Sequence, residues 1–214
     1  MKPAHLISIA IIFICTTIAW WLLGGIITQR TAHVGYQTGD DVSGRWGPQL
    51  MQKHPAARYT SSSGSTMLLQ PAKSDVKVQL GYQPVKMGLL WHRTYSVKFE
   101  GAYTFTNTTA ITQTLNVGFD LPAGKTLLDK IRFTLGEGAS ARRSVAAPQD
   151  GMISDNVQLA PGESIPVSVS YECRGMNFWG YTFADASRIR DFNLAMNTDF
   201  TDVNFPVSSP TDRK

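Results

Sequence analysis

Apolar residues run without a charged interruption from Leu6 to Ile27, LISIAIIFICTTIAWWLLGGII, and then give way to a polar chain in which they recur at every second position. The run reads as a helix. At ~1.5 Å per residue it would be ~33 Å long against a hydrocarbon core of ~30 Å, so one transmembrane helix is predicted over residues 6–27. From Thr66 the period becomes two. Val76, Val78 and Leu80 form one alternating set; Tyr95, Val97, Phe99, Tyr103 and Phe105 form another. Leu115, Val117, Phe119 and Leu121 follow, then Ile131, Phe133 and Leu135, and then Ile165, Val167, Val169 and Tyr171. Large side chains fall on one face of each set and polar ones on the other, the mark of a half-buried strand. Shorter runs stand at Val157–Leu159, Phe178–Phe183 and Ile189–Phe205. Roughly seven to nine strands broken by Pro and Gly turns predict a mainly β fold. The expected architecture is an antiparallel β-sandwich-like domain over residues 66–206, with a small barrel as the other solution.

The pattern also sets finer expectations. Leu89–Thr106 and Ile111–Leu121 read as an antiparallel hairpin closed at Asn107-Thr108-Thr109, with a bulge or bend at Gly101. Gly136–Gly151 reads as a polar loop with Arg142 and Arg143 in solvent. Residues 28–65 read as a juxtamembrane connector. Inside it, Asp40–Gln52 is compatible with a short helix, because Val42, Trp46 and Leu50 would share a face. Residues 1–5 would be a short cytoplasmic tail and residues 207–214 a C-terminal tail.

A cleaved signal peptide would need a shorter apolar stretch and a small-residue cleavage site, so an uncleaved anchor is the better reading. Thr16 and Thr17 can return their hydroxyls to the helix backbone. Trp20 and Trp21 suit a headgroup level, and Gly24 and Gly25 would let a neighbouring helix approach. Lys2 and the terminal amine precede the run, while Arg30 and then Asp40 and Asp41 follow it. That balance predicts a cytoplasmic N-terminus and the large domain outside, in the periplasm of a bacterium.

Charge and composition narrow the function classes. The 214 residues carry 20 basic and 16 acidic side chains, net +4, with no dense basic run, which does not point to nucleic acid. Cys15 falls in the apolar run and Cys173 in the domain, so an intrachain bridge is not expected. His5, His33, His54 and His92 are isolated, and no zinc pattern, G-x-S-x-G elbow or phosphate loop occurs. No cofactor is expected. Asp185, Asp191, Asp199 and Asp202, with Glu172, collect late in the chain. Turns and solvated faces account for most such residues; calcium binding and carboxylate hydrolysis are the alternatives. Trp179, Tyr181 and Phe183 alternate onto one face, which reads first as core packing and, if exposed, as a docking surface for protein or sugar; with Trp46 they are the candidate partner surface.

The stretch Val42–Leu50, VSGRWGPQL, which follows the N-terminal apolar helix, resembles the opening of CreD-type inner-membrane envelope proteins. The resemblance covers the helix and Trp46-Gly47-Pro48-Gln49. It implies a β-rich periplasmic region after the helix and an envelope-associated role. The expected function is therefore a membrane-anchored structural or assembly subunit of an envelope complex, working by protein–protein contact. Its expected partners are membrane lipid, other membrane or periplasmic proteins, and a second copy of the chain. An extracytoplasmic saccharide- or ligand-binding module is the first alternative. A membrane-tethered hydrolase is the second.

Overall fold

The computed structural model describes residues 3–204 apart from 62, 88–89, 123–127, 139–140, 145–147, 149–150 and 184–188; within the helix, the side chains of residues 3–6 and 31–42 are outside the description. One helix, α1 (Pro3–Trp46), precedes the β domain. Its segment Ile7–Arg30 is fully exposed, has a mean hydropathy of 2.2 and is long and apolar enough to cross a membrane. Thr16 and Thr17 donate to the carbonyls of Ile12 and Phe13, as the apolar setting requires.

The helix does not stop near Ile27, nor does a separate short helix form at Asp40–Gln52. It continues through Trp46, because nothing between Thr28 and Trp46 removes a backbone donor, and the glycines there weaken a helix without breaking it. Gly47 ends it, with φ +115° and its N–H on the Ser43 carbonyl (3.0 Å); Pro48 follows. Leu50, expected on the helical face with Trp46, is fully buried in a strand.

That strand, β1 (Leu50–Lys53), is followed by β2 (Ala56–Thr60), β3 (Thr66–Leu69), β4 (Lys73–Tyr82), β5 (Val85–Met87), β6 (Leu90–His92) and β7 (Thr94–Thr106). Then come β8 (Gln113–Asp120), β9 (Asp129–Leu135), β10 (Arg142–Arg143), β11 (Met152–Leu159), β12 (Ser164–Met176), β13 (Trp179–Thr182) and β14 (Phe192–Thr198). The β domain thus begins at Leu50 rather than Thr66, and the expected connector supplies two of its strands, β1 and β2.

Six strands form one sheet, in the order β10-β9-β12-β7-β4-β14, and four form another, β11-β8-β2-β3. Two-stranded ribbons β1-β13 and β5-β6 complete the fold. The sheets face each other through aromatic rings. Phe119 of the four-stranded sheet lies 5.8 Å from Phe99 and 6.4 Å from both Tyr103 and Tyr171 of the six-stranded sheet. Phe99 stacks on Tyr171 at 4.8 Å. The alternating residues read from the sequence, among them Val97, Phe105, Val117 and Val169, are buried between these layers. Large aromatic rings bury most area per residue, which is why they sit where the two sheets meet.

Three expectations need correction. Pairing is antiparallel except at β14-β4 and β1-β13, which are parallel. β7 and β8 do not form a hairpin: β7 pairs with β4 and β12, and β8 with β2 and β11, so residues 107–112 cross from one sheet to the other. Gly101 is not a bulge. Its register with Val76 and Val169 is regular, and the Tyr103 ring folds over it so closely that a Cβ would meet that ring at 2.7 Å.

Asn107 anchors the crossing. It is 1 % exposed, and its Nδ2 donates to the carbonyls of Ile111 (2.9 Å), Leu159 (2.9 Å) and Ala160 (3.2 Å). Its Oδ1 accepts from the Thr109 N–H and hydroxyl, closing an Asx-type turn. Asn107-Thr108-Thr109 also has the N-x-T form of a glycosylation acceptor, and the fold buries the side-chain nitrogen that would be modified. Arg142 is not in a free loop either: in β10 it pairs with Asp155 of the other sheet at 2.9 Å.

Candidate functional site

The sandwich end that receives α1 concentrates the unusual chemistry. Trp46 is half-buried, with the Arg174 guanidinium 5.1 Å from its ring centroid. After Gly47 the chain turns onto the end of β12: the Met176 N–H donates to the Pro48 carbonyl (3.2 Å), and Leu50 N–H to the Phe178 carbonyl (3.1 Å). The Tyr95 hydroxyl donates to the same Phe178 carbonyl. β1 then runs parallel to β13, pairing Leu50 with Trp179 and Gln52 with Tyr181. A stretch of helix from Arg30 to Trp46, ~24 Å at ~1.5 Å per residue, separates this root from the apolar span. Trp46 is thus a joint between helix and sandwich.

Alternation along β1 sends Gln52 and, just beyond it, His54 toward the core. Gln52 is fully buried and satisfied. Its Oε1 accepts the Tyr171 hydroxyl at 2.7 Å, and its Nε2 donates to the carbonyls of Lys53 and Asp120. His54 Nδ1 lies 2.9 Å from the Tyr181 hydroxyl, which lies 3.1 Å from that of Tyr103. The order that uses each proton has Tyr103 donating to Tyr181 and Tyr181 donating to a neutral His54. Phe183 and Phe192 close around the imidazole, 5.1 and 5.9 Å from it.

Burial lowers the His54 pKa from 6.5 to about 4, and burial also holds Tyr103, Tyr171 and Tyr181 well above the usual phenol range. The Cys173 thiol is pushed up to about 12 by its burial. The tyrosines and the thiol therefore remain protonated near neutrality. The arrangement suits hydrogen bonding that fastens β1 and β13 to the core, rather than nucleophilic attack.

His54 carries a testable pH dependence. The folded chain prefers neutral His54, whereas the unfolded chain takes up a proton below about 6.5. Stability from this source is complete above pH 6.5 and falls as pH drops toward about 4, where the loss levels off. A sealed group would lose ~3 kcal/mol, and solvent reaching part of the ring reduces this to about 1–2 kcal/mol. Urea unfolding of the detergent-solubilised chain at pH 7 and 4.5 should show His54→Gln losing less stability than wild type by about 1 kcal/mol. Equal losses in the two proteins would refute the assignment.

Of the candidate surface residues, Trp179 and Tyr181 pack against the core and Phe183 is half-buried beside His54; their neighbour Phe178 is exposed. Trp179 Nε1 is buried with no hydrogen-bond partner. Trp46 lies apart from them in the helix joint. The late acids are dispersed: Glu172 pairs with Lys130 (2.8 Å), Asp191 with Lys73 (3.9 Å), and Asp199 accepts the Tyr82 N–H. Asp202 is exposed, and Asp185 lies outside the described residues. Among the described residues no group of three or more His, Cys, Asp or Glu is placed to hold a metal.

Gln52 and His54 escape a reading that treats Leu50 as helical. The signal was the alternation Leu50, Gln52, His54, which starts a strand directly after Pro48. The exposure of Trp91 (67 %) and Leu90 (42 %), in the β5-β6 ribbon, also escapes it, because the alternation there looks like that of a core strand. Two further surfaces stand out. β3 is an edge strand with Met67 and Leu68 exposed. On the four-stranded sheet an open groove of about 580 Å³ is lined by Arg58, Tyr59, Thr60, Asn116 and Asn156, among others.

Comparison with known proteins finds no matching family, no matching curated protein and no matching solved structure.

Proposed function

We propose that the chain is a membrane-anchored structural or assembly subunit of an envelope complex, its sandwich held outside the cytoplasm and acting by contact with other proteins. The observation that carries this reading is the joint between α1 and the sandwich. The helix runs unbroken from an apolar span to Trp46, which packs on Arg174 of β12, and the chain directly after it pairs with β13, so the domain is held on its stem rather than tethered loosely. A helical stem of ~24 Å suits a part that must meet partners at one level above a bilayer. Flanking charge and the resemblance of Val42–Leu50 to CreD-type proteins support the periplasmic side. The uncharged β3 edge, with unpaired backbone groups beside Met67 and Leu68, offers a place for a partner strand.

Gentle extraction followed by light scattering with mass spectrometry tests the proposal. A defined oligomer or a partner at fixed ratio is the expected result. A clean monomer with nothing attached would remove stable assembly as the role.

The groove favours a second reading, a saccharide-binding module, because Tyr59 lies beside Arg58, Asn116 and Asn156 there. Calorimetric titration of the whole chain with envelope glycans would show binding lost in Arg58→Ala if this reading holds.

A further inference from the structure

We infer that the β5-β6 ribbon is a membrane-surface foot, which rests its Trp91 and Leu90 in the headgroup layer of the bilayer that α1 crosses, and so sets the tilt of that helix. The inference rests on the proposal that α1 spans the membrane.

The ribbon leaves the sandwich at the end where α1 enters. Its base is closed by the Gln83 N–H on the Thr94 carbonyl (2.9 Å), and the neighbouring Arg93 carbonyl accepts the Asn177 N–H, next to the helix joint. β6 also comes within 8 Å of α1, measured between Cα atoms. Every residue of α1 precedes the joint, so a strand lying beside α1 lies on the membrane-facing side of the sandwich.

Its surface chemistry fits that position. Trp91 is 67 % exposed and Leu90 42 %, so neither is a core residue. Lys86 sits 6.0 Å from the Trp91 ring centroid. Between Tyr82 and Thr94 the chain carries Lys86 and Arg93 and no acid. An indole beside a cationic stem is the combination favoured at a lipid headgroup level, and the positive charge favours anionic lipid.

The lengths close. Ile7–Arg30 has 24 residues. As a helix these would be ~36 Å long, which a ~30 Å core accommodates by a tilt of roughly 30–35°. The ~24 Å from Arg30 to Trp46 then rises ~20 Å from the membrane. From Thr94 back to Leu90 a strand reaches ~13 Å. The remaining ~7 Å is about the depth of one headgroup layer. A tilt toward the ribbon brings it down, and a tilt in any other direction leaves Trp91 and Leu90 in water.

The test uses the full chain in nanodiscs of phosphatidylcholine and phosphatidylglycerol at 7:3, with nitroxide lipids labelled at the headgroup or deep in the tail. Emission of Trp91 is taken as wild type minus Trp91→Phe. Emission of Trp20 and Trp21 is taken as wild type minus the Trp20→Phe/Trp21→Phe variant. Headgroup nitroxide should quench at least half of the Trp91 emission, and iodide should quench it less than in the detergent-solubilised chain. Pure phosphatidylcholine or Lys86→Glu/Arg93→Glu should reduce the headgroup quenching by about half. Trp91 open to iodide and untouched by headgroup nitroxide, while tail nitroxide quenches Trp20 and Trp21, would overturn the foot and leave the span intact. Loss of tail quenching at Trp20 and Trp21 would overturn the spanning reading and the foot with it.

Discussion

Replacing Asn107 by alanine should destabilise the sandwich by about 3–4 kcal/mol, because a buried carbonyl left without its donor costs ~1–3 kcal/mol and more than one is affected. The Leu159 carbonyl ends β11, the Ala160 carbonyl follows it, and the Ile111 carbonyl stands just before β8. The amide thus holds two crossings between the sheets at one point. The backbone repeats the connection: Asn107 N–H donates to Glu163 and the Asn107 carbonyl accepts from Gly162. These bonds survive truncation only if the loop keeps its shape, and the Thr109 bonds to Oδ1 that hold that shape are lost as well. Asn107→Asp keeps the volume and the Oδ1 acceptor but cannot donate as a carboxylate, so it should be at least as damaging. The measurement is the urea midpoint of the detergent-solubilised chain with its slope, and a loss below ~1 kcal/mol for both variants would show that the side chain merely fills space.

Gly47→Ala should cost about 3 kcal/mol, from two separate causes. At φ +115° a side chain is strained by ~1–3 kcal/mol whatever surrounds it. Here the new Cβ would also stand 2.1 Å from the Arg174 carbonyl oxygen and 2.9 Å from its carbon, atoms of the β12 backbone that cannot rotate away. Relief requires the joint to open. Trp46 would lift from Arg174, and the Met176–Pro48 hydrogen bond would break. The thermal midpoint of the solubilised chain should fall by roughly 6–12 °C for a domain of this size. Limited proteolysis should gain a cut between Ser43 and Leu50. A variant that melts with wild type and resists cutting there would show that the domain hangs on its helix without a fixed joint.

The two positions differ in how visible they were beforehand. Asn107-Thr108-Thr109 was legible as a turn, because asparagine and threonine bond their own backbone. Its real work, tying β11 to the β7–β8 crossing, depends on residues more than 50 positions away. Gly47 and Pro48 weaken a helix read over Asp40–Gln52, yet the spacing of Val42, Trp46 and Leu50 argued for continuing it through them. The proline restriction prevails, since the ring removes a donor, while an i, i+4 coincidence of three apolar residues adds only a few tenths of a kcal/mol. The candidate aromatic surface was half legible. Alternation placed Trp179 and Tyr181 on one side of β13, but whether that side faces solvent or the core depends on what lies across from it. Here both side chains lie half-buried against the core.

By itself the sequence determined the length and position of the apolar span, the mainly β character of the rest, and which residues of most strands turn inward. These are local properties: a helix needs only its own length of apolar residues, and a strand's burial follows from its own period of two. Tertiary structure alone decided that β7 and β8 lie in different sheets, that β1 runs parallel to β13, and that Gln52 is buried and His54 half-buried among aromatic rings. It also decided that the β5-β6 ribbon presents its tryptophan outward. Alternation names the face of a strand but not its neighbour, and the neighbour is selected by closing both sheets over one core at once.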